Sequence, residues 1–358
     1  MVPFFTCRMV QLSMKHGLCK YSMIGFVQYA AMSCWETDIK EAYRIGKLAM
    51  AVRDNLYSST DQLSLLYFIY YGWVAVYTEP VQNCADNLRR GFECGIASGD
   101  TSAALFNSVH HIRTSLIAGT NLPTLLKKAD YYLEIMKRHG NTWGKTIILL
   151  YRETISMLIG ASSNKYAEVR ESALQFPAEI FLYHKAYRAY WIGHSERCQH
   201  FSEKLIQGSE SGGRQHRRFF MLYYGLNSFK IMKRSSSQKL KAIPRNALKA
   251  LKTTEEHSKW NFRNKVHLLE AETFSYEDQK EEAKASYAAA ITSARSSRFI
   301  HEQGLACELA GYHYKRIGEH KSAWSFFTQA KRCYADWGSQ IKVESVNRQL
   351  ESFQISLP

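Results

Sequence analysis

Proline is scarce in this sequence: there are 6 prolines in 358 residues, whereas about 5% is usual in soluble proteins. With only 20 glycines as well, the composition excludes a collagen-like or proline-rich disordered chain. Runs that alternate between apolar and polar residues, which are typical of half-buried strands, are also lacking. Alanine, leucine and tyrosine are abundant instead, so the sequence predicts an all-α protein.

Long apolar runs and paired cysteines are absent too. The most hydrophobic stretch, residues 63–77, is 15 residues long and contains four tyrosines, which is shorter than the roughly 18–20 apolar residues that span a bilayer. It therefore predicts a buried helix that ends before Pro80. The eight cysteines form no C-x-x-C pair, which indicates reduced thiols in a chain of this length. We expect a cytoplasmic protein without a membrane span.

Signatures of enzyme active sites are missing as well. Residues 140–146 end like a phosphate-binding loop, but three residues separate the two glycines where that motif needs four. Because the preceding segment has helical spacing, a turn between two helices is the better prediction. The 13 histidines form no H-E-x-x-H motif and no Cys/His spacing suited to zinc. We therefore expect no catalytic residue, no metal site and no cofactor in this chain.

Two segments near the C-terminus share a pattern of small and aromatic residues at a shift of 40 residues. The first comprises Ala271, Phe274, Ala283, Tyr287 and Ala290, and the second comprises Gly311, Tyr314, Ala323, Phe327 and Ala330. The intervals describe two helices joined by a short turn, in which small residues allow close approach and aromatic residues fill the space between the helices. Gly318 is the expected turn residue. The pattern resembles the tetratricopeptide repeat.

Fainter copies of these intervals occur earlier in the chain. One comprises Ala30, Ser33, Ala42, Gly46 and Ala49, and another comprises Ala186, Ala189, Cys198, Ser202 and Leu205. A helix is expected to begin near Pro123. The stripe formed by Val343, Val346, Leu350 and Phe353 predicts a helix that caps the C-terminal end. The sequence thus predicts a tetratricopeptide-like α-α superhelix, which is a solenoid of helical hairpins.

The positive charge of the chain is concentrated in one stretch. Of the 47 basic and 32 acidic residues, residues 214–265 contain 14 basic and 2 acidic ones. Pro244 is expected to start a helix within this stretch. The candidate docking residues are Arg217, Arg218, Arg245, Lys249 and Lys252.

Three interpretations of this basic face remain open: a solvated helix face, a docking site for an acidic protein, or a site for nucleic-acid phosphates. Few aromatic side chains lie near it in the sequence, which disfavours stacking on single-stranded nucleic acid. Among possible partners, we therefore expect a protein rather than a nucleic acid.

Nearly the whole chain resembles one segment of a known multidomain family. The most specific phrases are residues 299–310 and 330–343, and the other matching phrases are residues 8–17, 42–49, 260–262 and 268–272. They are similar to the helical-repeat region of large sensor histidine kinases that also carry a STAND-type ATPase. In that family a protein-kinase-like domain and the ATPase precede the repeats, and a GAF domain and a histidine kinase usually follow.

The resemblance implies that the ATPase phosphate loop and the phospho-accepting histidine lie outside such a segment, so no catalytic residue carries over to this chain. We expect residues 1–207 to form an N-terminal helical-repeat half. Residues 208–263 are predicted to be a basic helical segment with flexible loops, and residues 264–358 to hold two repeats and the capping helix.

The sequence predicts a non-enzymatic scaffold for protein–protein interaction in signal transduction, similar to the segment that links an ATPase to a sensor histidine kinase. The expected partners are proteins, including ATPase or kinase modules. Two alternatives remain. The chain is a fragment of an ATP-dependent kinase or ATPase whose active domains lie outside it, or it binds nucleic-acid backbones through residues 214–265.

Overall fold

The structure of the protein is a computed structural model that describes residues 2–35, 38–56, 62–161, 178–207, 214–232 and 238–354. Within these ranges the regular secondary structure is helical, without a strand. The predicted all-α, tetratricopeptide-like fold is therefore confirmed. Residues 208–213 and 233–237, which belong to the segment predicted to contain flexible loops, lie outside the described residues.

Most consecutive helices are joined by short connections, whereas α8 and α9 are separated by residues 160–177, most of which lie outside the described ranges. The first eight are α1 (Val2–His16), α2 (Ser22–Trp35), α3 (Ile39–Leu56), α4 (Leu63–Ile69), α5 (Val81–Ser98), α6 (Thr101–Ala118), α7 (Leu122–Arg138) and α8 (Thr142–Ile159). The others are α9 (Ala178–Trp191), α10 (Ser195–Gln207), α11 (Arg214–Met232), α12 (Gln238–Glu255), α13 (Lys259–Tyr276), α14 (Lys280–Ser296), α15 (Ile300–Arg316), α16 (His320–Trp337) and α17 (Gln340–Gln354).

The two C-terminal repeats are helical hairpins, as predicted. Helix α13 packs on α14, and α15 packs on α16. The small residues lie at the closest approach, because a Cβ atom added at Gly311 would lie 2.9 Å from the ring of Phe327. Phe327 and Tyr287 are both fully buried between the helices. The spacing of small and aromatic residues in the sequence therefore corresponds to the positions at which the paired helices pack together.

In this region a turn with the same backbone conformation occurs every 20 residues. The sequence pattern predicted only the turn at Gly318. Asp278, Arg298, Gly318 and Gly338 all have a left-handed backbone, with φ values of 61°, 61°, 84° and 88°. A residue in this conformation stops a helix and redirects the chain. Glycine adopts it without steric cost, whereas Asp278 and Arg298 adopt it against their usual preference. The same backbone turn thus recurs with different residues.

The fainter repeats are helical hairpins as well. Helices α2 and α3 pack together, and so do α9 and α10. In both pairs the small residues of the pattern lie inside the interface: Ala30, Ala42, Ala186 and Cys198 have no exposed surface. The predicted capping helix is α17, whose residues Val343, Val346 and Phe353 are buried. Helix α7 begins at Leu122, next to Pro123, as expected.

The hydrophobic stretch at residues 63–77 is a buried helical segment, but it is irregular. After α4 the chain forms a π-helical turn at Tyr70–Val74 and a 3₁₀ turn at Ala75–Tyr77. The guanidinium of Arg113 donates a hydrogen bond to the carbonyl of Gly72 at 2.7 Å, and a side chain that engages a helical carbonyl is a common cause of such irregularity. No helix in the described part of the chain is long and apolar enough to cross a bilayer.

One predicted helix start is wrong. Pro244 lies inside α12, which begins six residues earlier at Gln238. Pro244 is the seventh residue of α12 and lies beyond the first four, whose N–H groups have no helical acceptor, so the helix lacks one hydrogen bond at this position. Its ring is buried with Ile243 against the rest of the fold. The helix therefore includes the six residues before Pro244, and the buried side chains of Ile243 and Pro244 pack within the fold.

The chain divides into two compact units. Unit 1 comprises residues 1–118 and 132–145, and unit 2 comprises residues 119–131 and 146–358. The two units are groups of residues that contact one another. The division predicted from the sequence, with boundaries at residues 207 and 263, describes the repeats instead and stays a prediction.

Unit 2 closes on itself. The amide of Asn121 donates a hydrogen bond to the carbonyl of Asp336 at 3.0 Å, across 215 positions of sequence. The hydroxyl of Ser339 donates to the carbonyl of Leu158 at 2.8 Å. The rings of Trp191 and Trp337 lie 5.0 Å apart. The last hairpin of unit 2 therefore returns to the segments with which the unit begins.

Candidate functional site

The first helices of the hairpins in unit 2 line one groove. Its volume is about 700 Å³, and its walls come from α9, α11, α13, α15 and α17, with Tyr287 of α14. In a stack of hairpins the equivalent helices lie side by side, so residues from distant parts of the sequence meet on their shared face. This groove, defined by those helices and Tyr287, is the candidate functional site.

One wall of the groove carries a buried ion pair. The ammonium of Lys342 contacts the two carboxylate oxygens of Glu308 at 2.9 Å and 2.7 Å, and the hydroxyl of Tyr334 donates to the same carboxylate at 2.5 Å. Burial by itself would raise the pKa of Glu308. The positive charge of Lys342 and the hydrogen bonds from Lys342 and Tyr334 outweigh burial and hold that pKa below its usual value. Glu308 is therefore an ionised carboxylate whose acceptors are in use.

Lys230 lies beside this pair, in the same groove. Its ammonium lies 4.6 Å from the centre of the Tyr190 ring, which is a cation–π contact. Burial lowers the pKa of Lys230, and the nearby charge of Lys342 lowers it further, whereas Glu308 opposes both effects. Among the described residues no carboxylate pairs with Lys230. The hydroxyl of Tyr190 is buried, and no described residue forms a hydrogen bond with it.

The opposite part of the groove is more polar. The hydroxyl of Ser275 and the Nδ1 atom of His313 share a hydrogen bond of 2.8 Å, and Arg316 donates to the carbonyl of Ser275 at 2.6 Å. Burial lowers the pKa of His313, and the positive charge of Arg316 adds to this effect. Tyr287 donates a short hydrogen bond to Glu272. These side chains are fixed to one another, and the Nε2 atom of His313 has no hydrogen-bond partner among the described residues.

A second buried ion pair supports the groove from within unit 2. The ammonium of Lys265 lies 2.7 Å from the carboxylate of Glu302, and both side chains are almost completely buried. Asn264 also donates to this carboxylate, at 2.5 Å. The ring of Phe299 lies 4.0 Å from the ammonium. Lys265 belongs to the basic stretch of the sequence, but its charge is neutralised inside the protein.

The predicted basic face is only partly assembled. Arg245 and Lys249 are exposed on one side of α12, one helical turn apart. Lys252 continues that side but forms an ion pair with Glu270 at 2.7 Å. Arg217 and Arg218 lie on the adjacent helix α11 and are half-buried. The five residues thus occupy two neighbouring helices with different degrees of exposure.

The phosphate-loop-like segment is a turn between α7 and α8, as predicted. Helix α8 begins at Thr142, so Gly144 and Lys145 belong to its first turn. The side chain of Asn141 caps this helix by accepting a hydrogen bond from the N–H of Gly144 at 2.7 Å. Across the described ranges, no group of three His, Cys, Asp or Glu side chains is arranged to hold a metal ion.

Sequence reasoning missed the groove. One usable signal was Lys230, which is the only charged residue between Phe219 and Met232. A lone charge in a run of buried residues indicates a specific partner or a cavity. A comparison with protein-family models finds no match, and a comparison with curated proteins finds none either. The function therefore has to be proposed from the groove and from the sequence pattern.

Proposed function

We propose that this chain is a non-enzymatic helical-repeat scaffold for protein–protein interaction in signal transduction, acting in the cytoplasm. The observation that carries the proposal is the groove, because five helices from successive hairpins contribute to a single open surface. Helical-repeat proteins act through such extended surfaces.

The residues at the mouth of the groove suit a protein partner. Tyr312 is exposed on α15, and Glu344 and Arg348 are exposed on α17. Tyrosine and arginine are enriched among the residues that dominate binding energy at protein interfaces. The neighbouring opposite charges of Glu344 and Arg348 would fix the orientation of a partner rather than attract any polyanion.

The sequence resemblance suggests what the partners are. The phrases at residues 299–310 and 330–343 include parts of α15 and α17, which line the groove, and part of α16, which lies outside it. The proposed partners are accordingly an ATPase module and a histidine-kinase module, whose states the scaffold would relay. If both modules are encoded on the same polypeptide as this chain, the alternative that it is a fragment of an ATP-dependent kinase replaces a free-standing scaffold.

Nucleic-acid binding through residues 214–265 has less support. Lys252 pairs with Glu270, Arg263 pairs with Glu255, and Lys265 is buried against Glu302. Side chains that already have a carboxylate partner contribute less to the release of counterions from a phosphate backbone. Arg245 and Lys249 are exposed on one side of α12, and Lys241 and Lys259 are exposed as well. This small set of charges fits a local protein contact better.

The proposal predicts that one groove residue controls partner affinity. The full chain is titrated with the ATPase and histidine-kinase modules encoded beside it, and Kd is measured by calorimetry. Arg348→Ala should weaken binding of at least one module about tenfold or more, whereas Arg332→Ala, an exposed arginine on α16 outside the groove, should leave it unchanged. Equal losses in both variants, or no binding of either module to the unaltered chain, would contradict the proposal.

A further inference from the structure

The floor of the groove holds hydrogen-bond donors that the described residues do not satisfy. Among the described residues, the ammonium of Lys230 contacts the face of Tyr190 but no carboxylate, and none bonds to the hydroxyl of Tyr190. Tyr190 is 3% exposed and lines the groove, so an unpaired hydroxyl at this position is unfavourable. The side chain of Lys230 is only half-buried, so its ammonium can be reached from the groove. An anion that entered the groove would give this ammonium a counter-ion and the buried hydroxyl of Tyr190 an acceptor.

The carboxylates that line the groove are already engaged. Glu308 accepts hydrogen bonds from Lys342 and Tyr334, and Glu272 accepts one from Tyr287. The polar groups left over near Lys230 are therefore donors, and a ligand that fits them must bring acceptors. A carboxylate or a phosphate has such acceptors and also a negative charge to pair with Lys230.

The rest of the groove fits a small ligand with a flat apolar body. Aromatic side chains that line it include Tyr190, Trp191, Phe229 and Tyr312. Its volume of about 700 Å³ falls within the range of about 300–1,000 Å³ that is usual for small-molecule sites. On the side of α9, the ring of Trp191 contacts Trp337 and Tyr334, so the wall is closed there.

We propose that the floor of the groove binds a small organic anion, in which a carboxylate or phosphate pairs with Lys230 and the hydroxyl of Tyr190 while an aromatic body lies against the ring-lined walls. The proposal goes beyond the scaffold function, because its ligand is a small molecule and its site is the floor rather than the mouth. A scaffold with such a site would respond to a metabolite as well as to a protein.

Three probes of one shape test the charge requirement on the full chain. Binding of 2-naphthoate, 2-naphthyl phosphate and the uncharged 2-naphthamide is measured by calorimetry. At least one anion should bind with a Kd of about 1 mM or lower, the value that ordinary ligand efficiency gives for a molecule of this size. The amide should bind about tenfold more weakly or worse. The two anions show whether the site prefers a carboxylate or a phosphate.

Two substitutions place the binding at the floor. Lys230→Met keeps the length of the side chain and removes the charge, so affinity for the preferred anion should fall about tenfold or more. Tyr190→Phe keeps the ring and removes the hydroxyl, and should weaken binding about three- to tenfold. The matched control is Lys331→Met, which removes an exposed ammonium from α16 and should change nothing. Circular dichroism verifies that each variant is folded.

Several results would overturn the inference. It fails if neither anion binds at about 10 mM, if the amide binds as tightly as the anions, or if Lys230→Met and Tyr190→Phe both retain full affinity. Binding of an acidic peptide but of no naphthalene probe would also overturn it. The affinity for the ATPase and kinase modules is measured separately with Arg348→Ala, so a failure at the floor leaves the scaffold proposal standing.

Discussion

Trp337→Ala is expected to lower the free energy of unfolding of unit 2 by about 3–5 kcal/mol, the usual cost of removing a large buried aromatic side chain. The indole of Trp337 has no exposed surface. Its ring lies 5.0 Å from that of Trp191 and 5.2 Å from that of His301. These contacts join the C-terminal hairpin to α9, so the cavity left by alanine lies at the point where unit 2 closes.

A second tryptophan on the same helix is the control for this prediction. Trp324 also lies on α16, but its side chain is 48% exposed. Trp324→Ala should change the free energy of unfolding by no more than about 0.5 kcal/mol, as is usual for surface positions. Both variants are unfolded with urea and followed by far-ultraviolet circular dichroism. If the two substitutions had equal effects, the closed arrangement of unit 2 would be wrong.

Lys265→Met is expected to destabilise the protein by about 3–5 kcal/mol, because it leaves the carboxylate of Glu302 buried without its counter-ion. The carboxylate keeps a hydrogen bond from Asn264, but a neutral donor does not replace a full positive charge. The lost cation–π contact with Phe299 adds to the effect. Urea titration of the variant and of the unaltered chain measures the difference.

The double variant Lys265→Met with Glu302→Gln separates charge from packing. It removes both charges and keeps an amide oxygen that can accept the hydrogen bond from Asn264, so it should recover about half or more of the lost stability. Recovery requires that the two residues act as a pair. If the double variant is as unstable as the sum of the two single variants, Lys265 and Glu302 do not form the buried ion pair.

The hairpins could be predicted from the sequence because their determinants are local. Small residues such as Ala271 and Gly311 recur at fixed distances from aromatic residues such as Phe327, and the intervals translate directly into helices and turns. The equivalence of Asp278 and Gly318 was invisible, because the left-handed turn belongs to the backbone and is adopted there by two different residues. Composition alone does not reveal such a position.

The candidate site could not be predicted because its residues meet only through long-range contacts. Counting charge along the chain assigned Lys230 and Lys265 to one basic stretch. The structure places Lys265 against Glu302, 37 positions away, and Lys230 in the groove beside Glu308. Neither neighbour is near in sequence, so the positions of these lysines follow from the stacking of the hairpins rather than from any local pattern.

The closure of unit 2 illustrates the same limit. Asn121 and Asp336 are joined by a hydrogen bond across most of the unit, and nothing in the sequence around either residue indicates a partner. The helical rise and the angle between successive hairpins determine where the end of the array arrives. A small error in each predicted angle would accumulate over the hairpins between Asn121 and Asp336, so their contact cannot be derived from the sequence.

Site-specific photo-crosslinking tests the central claim, that the groove is the surface through which the scaffold contacts its signalling partners. A photoreactive p-benzoylphenylalanine is introduced at Tyr312 in the mouth of the groove and, in a matched variant, at Trp324 on the outer helix α16. The crosslinked proteins are identified by mass spectrometry. We expect the Tyr312 variant to crosslink to a protein that carries an ATPase or histidine-kinase module, and the Trp324 variant not to do so. Crosslinking of the same module with equal yield at both positions, or its absence at Tyr312, would contradict the account.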